Sequence, residues 1–434
     1  MKGPPAPVSL GGLWRQPDFL RLWTGQTVSS LGSVVTRTAL PLTALIVLQA
    51  QPAELGLLAA AGAAPALLVG LLAGVWVDRM RRRPLMIAAD VGRAALLLTI
   101  PLAAMTGVLH IEWLLVVAFL VGGLAVLFDI SYQAYVPSLV QAEQLVEANS
   151  KIGVSDSVAE IGGAALGGAL VQAITAPLAI LVDAVSFVVS ALSLAWIRTP
   201  EPVPSAEQEG SWLAQARAGI ETVQRDGSLL ALAGASASFY LFGGFFGALY
   251  DLYALRYLGV TPGMLGLLVA TGGVGALLGA AASRPALARW GYGRVLILTL
   301  AGRVLTGLLT PLAAEPGSQA VALLLAGQLL GDFLLSMYFV AALSLRQAIA
   351  PPSRLGRVNA TMAFLEQGLS PIGLLAGGLI GQAIGPRLTL ALGALAGLTG
   401  AWIVFRSPIR RMVSLAAAQV REEDDLPDRR PAGQ

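Results

Sequence analysis

Apolar runs of about 20 residues recur almost end to end along this chain, with only short polar joints between them. A helix of that length, rising about 1.5 Å per residue, crosses the roughly 30 Å hydrocarbon layer of a bilayer. The pattern predicts twelve spans: 18–48, 54–77, 84–107, 112–134, 152–174, 177–197, 229–256, 262–284, 292–313, 318–345, 360–384 and 387–406. The longest joint follows the sixth span. It opens with Pro200, Pro202 and Pro204 and continues as a surface helix from Glu209 to Arg225. This seam divides the chain into an N-terminal segment (1–17), a six-span bundle (18–197), a linker (198–228), a second six-span bundle (229–406) and a tail (407–434). From Arg421 onward the tail is acidic and Pro-containing, and reads as disordered.

Composition narrows the class further. Hydrophobic residues make up 56% of the chain and charged residues 12%, against about 25% charged in soluble domains, so the expected fold is an all-α membrane protein. The 50 glycines suit closely packed membrane helices. A net charge of +3 comes with most of the basic residues in the joints, without a basic stripe interleaved with aromatics, so nucleic acid is not an expected partner. No Cys is present, which removes disulfides and thiolate metal sites. His110, the single His, falls at a joint, and no glycine-rich phosphate cradle occurs. An enzyme, a cofactor and a bound metal are all unexpected, and ATP hydrolysis within the chain is excluded. Met1 to Leu13 lacks the apolar core of a cleaved signal.

Arg and Lys set the orientation, because short basic loops are retained on the cytoplasmic side. Alternate joints carry Arg79, Arg81, Arg82, Arg83, Lys151, Arg198, Arg217, Arg225, Arg284, Arg289, Arg294, Arg346, Arg354 and Arg357, whereas the others hold little beyond Arg256 and Arg387. Both termini are therefore expected in the cytoplasm, with the chain passing many times through the inner membrane of a prokaryote.

The fifth and eleventh spans resemble one another. Asn149, Gly163, Gly167, Gly168, Gln172, Ala173 and Ile174 recur as Asn359, Gly373, Gly377, Gly378, Gln382, Ala383 and Ile384, each 210 residues later, and Asp156 falls on Glu366. Shared helix-packing chemistry is one reading of these glycines. The other is a parallel repeat of six spans, the arrangement that puts a substrate site between two rocking halves.

After the second span the chain reads Gly74-Val75-Trp76-Val77-Asp78-Arg79-Met80-Arg81-Arg82-Arg83. This resembles the signature loop of the major facilitator superfamily, G-x-x-x-D-R-x-G-R-R/K, with Arg81 replacing its second Gly. Leu127 to Val140, then Glu147-Ala148-Asn149-Ser150 and Asp183-Ala184-Val185-Ser186-Phe187, are similar to the drug:proton antiporter branch that contains macrolide-efflux proteins and the enterobactin exporter. Gly163-Ala164-Ala165-Leu166-Gly167-Gly168 stands where that branch has G-P-x-x-G-G, without its Pro. The resemblance implies the major facilitator fold of two pseudo-symmetric six-helix halves. It also implies a cytoplasmic gate of Gly74, Asp78, Arg79, Arg82 and Asp129, in which Asp129 can pair with Arg82.

Charges inside the spans are the remaining chemistry, since each costs about 2.5 to 3.5 kcal/mol to insert without a partner or a wet cavity. Arg37, Glu160, Asp332 and Arg303 fall nearest the middle by residue count; Asp129, Asp156 and Glu366 fall toward the cytoplasm, Asp183 and Asp251 toward the outside. By the resemblance, spans 1, 4, 5, 7, 8, 10 and 11 border the cavity, which selects Glu160, Asp332, Glu366 and Arg37 as proton-coupling candidates. Static ion pairing is the alternative, and fits Asp183 and Arg303 best. Phe239, Phe242, Phe246 and Tyr250 on the seventh span are candidates for an aromatic cavity wall. The expected function is export of an amphiphilic small molecule, a drug-like compound or siderophore, by proton antiport, with substrate, protons and membrane lipids as partners. A lipid or lysolipid flippase and a proton-coupled nutrient symporter are the competing readings.

Overall fold

The computed structural model describes residues 12–68, 80–201, 212–352 and 354–413, and everything regular among them is helical. The helices are α1 (Pro17–Leu42), α2 (Pro52–Leu68), α3 (Arg82–Met105), α4 (Ile111–Leu139), α5 (Leu145–Ala173), α6 (Ala176–Ala195), α7 (Gly227–Leu252), α10 (Ser318–Ile349) and α11 (Leu355–Ile384), with α8, α9 and α12 completing the set. α8 and α9 are the two arms of one stretch, Pro262–Leu312, that bends at Gly291, whose φ of 76° excludes most side chains. α12 runs from Pro386–Ala396 into Leu398–Arg406. The linker helix, Trp212–Arg225, packs on α7 and α11 and so belongs with the second half. Among the described residues, ten stretches are long and apolar enough to cross a membrane. The bend in Pro262–Leu312 makes one of them two crossings, and the 17-residue α2 supplies the twelfth.

The two halves share one register. Pro17 and Gly227, Pro52 and Pro262, Leu145 and Leu355, and Ala176 and Pro386 open equivalent helices 210 residues apart. Even a local irregularity repeats, since α1 and α7 each end in a π turn, at Thr43–Val47 and Tyr253–Tyr257. The glycine spacing of the fifth and eleventh spans thus belongs to a repeat covering the whole bundle.

Packing follows from those glycines. Within the halves, a β-carbon on Gly163 would come 2.8 Å from Val34 and one on Gly377 2.6 Å from the Phe245 backbone, so α5 lies directly on α1 and α11 on α7. Gly167 lies 3.2 Å from Val35 on the same terms, and Gly373 abuts the Leu241 carbonyl. Gly168 and Gly378 do a different job. Gly378 meets Gly56 across the halves, and Gly168 meets Gly266, again with residues 210 apart in equivalent places. Small residues let backbones approach where van der Waals contact, rather than hydrophobic exclusion, drives association in lipid.

All these cross-half contacts lie toward one end of the bundle. The end holding the starts of α1 and α7 and the close of α12 is called here the terminal face, and the opposite end the far face. From the far face, α2 packs on α11 and α5 on α8, reaching Leu67 against Gly368 and Ile161 against Gly273 about halfway along. α4 and α5 form no extended packing with α10 among the described residues, and the close cross-half contacts lie at the far face. The helices extend beyond the predicted spans mainly at the terminal face, where α5 begins at Leu145 and α10 runs to Ile349. Those extra turns are polar, as in the Glu147–Lys151 pair at 3.4 Å, and carry no hydropathy signal.

Candidate functional site

Beneath the far-face closure a cavity of about 600 Å³ lies between the halves. Its wall is mostly aliphatic, with Leu55 and Leu58 of α2, Leu265 and Val269 of α8, and Leu374 of α11. Three charged side chains face it: Arg37 of α1, Glu160 of α5 and Asp251 of α7. Arg37 and Glu160 meet in a two-pronged pair, Nη2 donating to Oε2 at 2.9 Å and Nη1 to Oε1 at 3.2 Å. The close α1–α5 contact at Gly163 sets this up, and Arg37 leans back toward the start of its helix as helical side chains do. At 63% and 50% exposed, the pair is open to the cavity, where a guest or proton can compete for either member.

Asp251 was placed toward the outside by residue count; the structure puts it on the cavity wall, in the second half. It has no hydrogen-bond or ion-pair partner among the described residues, whereas the acid of the first half is matched by Arg37. Its equivalent position in the first half is Pro41, also on the wall, so the cavity is symmetric in shape and asymmetric in charge. The roof is tied by Arg256, from the π turn after α7, which donates to the Leu45 carbonyl in the matching turn after α1 at 3.1 Å. Gln172 of α5 accepts the Gly263 N–H at the start of α8 at 2.9 Å.

The structure does not bring Asp332 to Arg37. Asp332 accepts from Gln328 at 2.6 Å, one turn away on α10, and both face α8 at Gly272, where a side chain would collide with the carboxylate. The positive charge acting on it is Arg303 of α9, inside the second half. The four aromatic candidates also lie elsewhere. Phe239, Phe242 and Phe246 line a separate recess with Arg303 between α7, α9 and α12, while Tyr250 is not on the cavity wall and its hydroxyl is buried without a partner among the described residues. The reason is the face that α7 presents inward: Gly244 and Gly247 pack on α11, so the rings turn away from it.

Asp156 and Glu366 occupy equivalent recesses on the terminal side. Asp156 accepts from Ser30 at 3.2 Å and shares its recess with Gln26, Asp129 and Tyr132; Glu366 shares the other with Ser236, Tyr240 and Arg346. Of the expected gate, Gly74, Asp78 and Arg79 lie outside the described residues. Arg82 donates to the Ala134 carbonyl at 3.4 Å, and its backbone N–H bonds Glu201. Asp129 instead lies within the field of Arg93, a residue the sequence reading passed over. Arg93 is buried, bonded to Asp90, with the rings of Phe128 and Phe187 at 4.5 and 4.1 Å. Asp183, close by, accepts from Ser186 at 2.9 Å. The available signal was the register: Arg93 and Arg303 stand 210 residues apart.

Twelve crossings in two repeated halves around a charged, closed-ended cavity define a membrane transporter. The family model described as transmembrane secretion effector matches residues 10–428, and the chain belongs to that family of major facilitator transporters. It is 24% identical over 384 residues to the uncharacterized transporter YfiS of Bacillus subtilis, covering 86% of this chain and 89% of that one. To y4rN of Sinorhizobium fredii, an uncharacterized transporter of the same type, it is 28% identical over 382 residues, covering 86% and 91%. Among solved structures it is similar to a bacterial homologue of the iron transporter ferroportin in an inward-facing state (TM-score 0.73, 19% identity, 90% and 98% covered). It is also similar to the nucleoside transporter NupG (TM-score 0.69, 13% identity, 89% and 98% covered). These share the fold.

Proposed function

We propose that this transporter exports an amphiphilic small molecule, drug-like or siderophore-like, in exchange for protons, with both termini in the cytoplasm of a prokaryotic cell. The carrying observation is the Arg37–Glu160 pair open to a largely aliphatic cavity that also bears the unmatched Asp251. An aliphatic wall suits an amphiphile through area burial, and a polar nutrient would find few partners there. Protonating Glu160 removes the charge that a cationic group would need, so a proton and a substrate that uses this carboxylate exclude one another, as antiport requires. Alternating access then needs only that the two cavity orientations bind the proton differently. The secretion description of the family agrees with this direction.

The test is proton flux in proteoliposomes carrying the purified protein, read by an internal pH dye while a panel of macrolides, siderophores and lysolipids is added. At least one amphiphile is expected to release protons in a manner lost on dissipating the pH gradient. Substrate movement indifferent to the gradient would overturn antiport, and lysolipid alone moving would favour the flippase.

A further inference from the structure

We infer that the second half carries a binding site for an anionic phospholipid, in the groove between α8, α9 and α10 at the terminal face. The groove holds about 430 Å³ and is walled by Ala282, Pro285, Leu298, Leu334 and Met337, with Arg289 and Trp290 at its mouth. Trp290 stands at the α8–α9 bend, and Leu298 lies eight residues further on, about 12 Å along the helix axis. The groove therefore runs from the interface into the hydrocarbon, along the course of an acyl chain. Its side is open, with Trp290 46% and Leu298 57% exposed on the lipid-facing surface.

Charge selects the headgroup. The whole stretch from Pro262 to Leu312 contains no Asp or Glu, yet holds Arg284, Arg289 and Arg294, all exposed and none in an ion pair among the described residues. The Pro408–Arg411 turn docks beside them, the Gly293 N–H donating to the Met412 carbonyl at 3.0 Å, and brings exposed Arg410 and Arg411 to the same end. Retention of positive loops on one side accounts for the arginines but not for an apolar groove beneath them or a Trp at its mouth. Basic pockets between membrane helices take acidic headgroups, and each Lys or Arg near the surface adds attraction. Trp belongs at the depth where headgroup meets chain. A zwitterionic lipid fills the groove equally well but leaves the guanidinium charges uncompensated.

The experiment places the full chain in phosphatidylcholine nanodiscs doped with chain-brominated phosphatidylglycerol or chain-brominated phosphatidylcholine. Trp290 emission is taken as the difference between the unaltered protein and Trp290→Phe. Brominated phosphatidylglycerol is expected to quench it at a several-fold lower mole fraction than brominated phosphatidylcholine. Combining Arg284→Ala, Arg289→Ala and Arg294→Ala, all at exposed positions, should equalise the two lipids. Ala282→Leu, which fills the groove, should weaken quenching by both. Equal quenching of the unaltered protein by the two headgroups, or a preference that survives loss of the three arginines, overturns the site.

Discussion

At the scale of single residues, the charged side chains that face the cavity are three, Arg37 and Glu160 on the first half and Asp251 on the second. Glu160 is matched by Arg37, whereas Asp251 faces the cavity without a partner, and the two acids predict different phenotypes. Glu160→Gln keeps a hydrogen-bond acceptor for Arg37 but cannot exchange a proton, so pH-driven export should fall at least about tenfold, the outcome of losing roughly 1.4 kcal/mol of coupling. Downhill substrate exchange should persist, as a purely structural pair would not allow. Asp251→Asn should instead raise the apparent Kd for a cationic substrate while leaving a neutral one unchanged, measured by ligand-induced thermal stabilisation; equal loss for both would remove Asp251 from recognition. Sequence reading found Arg37 and Glu160 because counting residues from a span's ends fixes depth well. Counting does not fix azimuth, which is why Asp332 and the α7 rings were assigned to a cavity they do not face. Asp251 was missed for another reason: the cavity extends toward the far face up to its level, where Leu45 and Leu55 also line it, so a place near that end and a place on the wall coincide.

At the scale of helices, the halves approach most closely at the far face through two glycine contacts, Gly56 with Gly378 and Gly168 with Gly266. The glycines of α5 and α11 were legible in the sequence; their division into contacts within a half and contacts between halves was not, since spacing shows a face but not its neighbour. This division has a measurable consequence. Gly168→Leu or Gly378→Leu would place a branched side chain where a β-carbon already comes within 2.8 or 2.7 Å of the facing Gly Cα, in each case against backbone. Backbone cannot move aside cheaply, so the far face should be held apart. Electron–electron distances between spin labels on Gln49 and Thr261 positions should lengthen in these variants relative to the unaltered protein. Gly163→Leu, buried inside the first half against Val34, should lower thermal stability and leave that distance unchanged in the fraction that folds. An unchanged distance in Gly168→Leu and Gly378→Leu alike would show that these contacts do not hold the closure.

At the scale of the whole molecule, orientation follows from the placement of charge relative to a register that the structure makes explicit. Helices that start 210 residues apart must start on the same side, so both termini and the linker share the terminal face whichever way the bundle is inserted. Insertion itself is decided by Arg and Lys. At the terminal face the described joints hold Arg198, Arg225, Arg284, Arg289, Arg294 and Arg354; at the far face they hold Arg256 and Arg387, both bonded to backbone carbonyls, of Leu45 and Pro311. A basic loop resists translocation, so the terminal face should be cytoplasmic. The absence of Cys makes the test direct. Glu112 at the far face and Arg225 at the end of the linker helix are both well exposed, at 74% and 76%. A membrane-impermeant maleimide added to intact cells should label the Glu112→Cys variant, and should reach Arg225→Cys only after the membrane is permeabilised. The reverse pattern would invert the carrier, so that the closed far face would look into the cell and the charged cavity would face the outside.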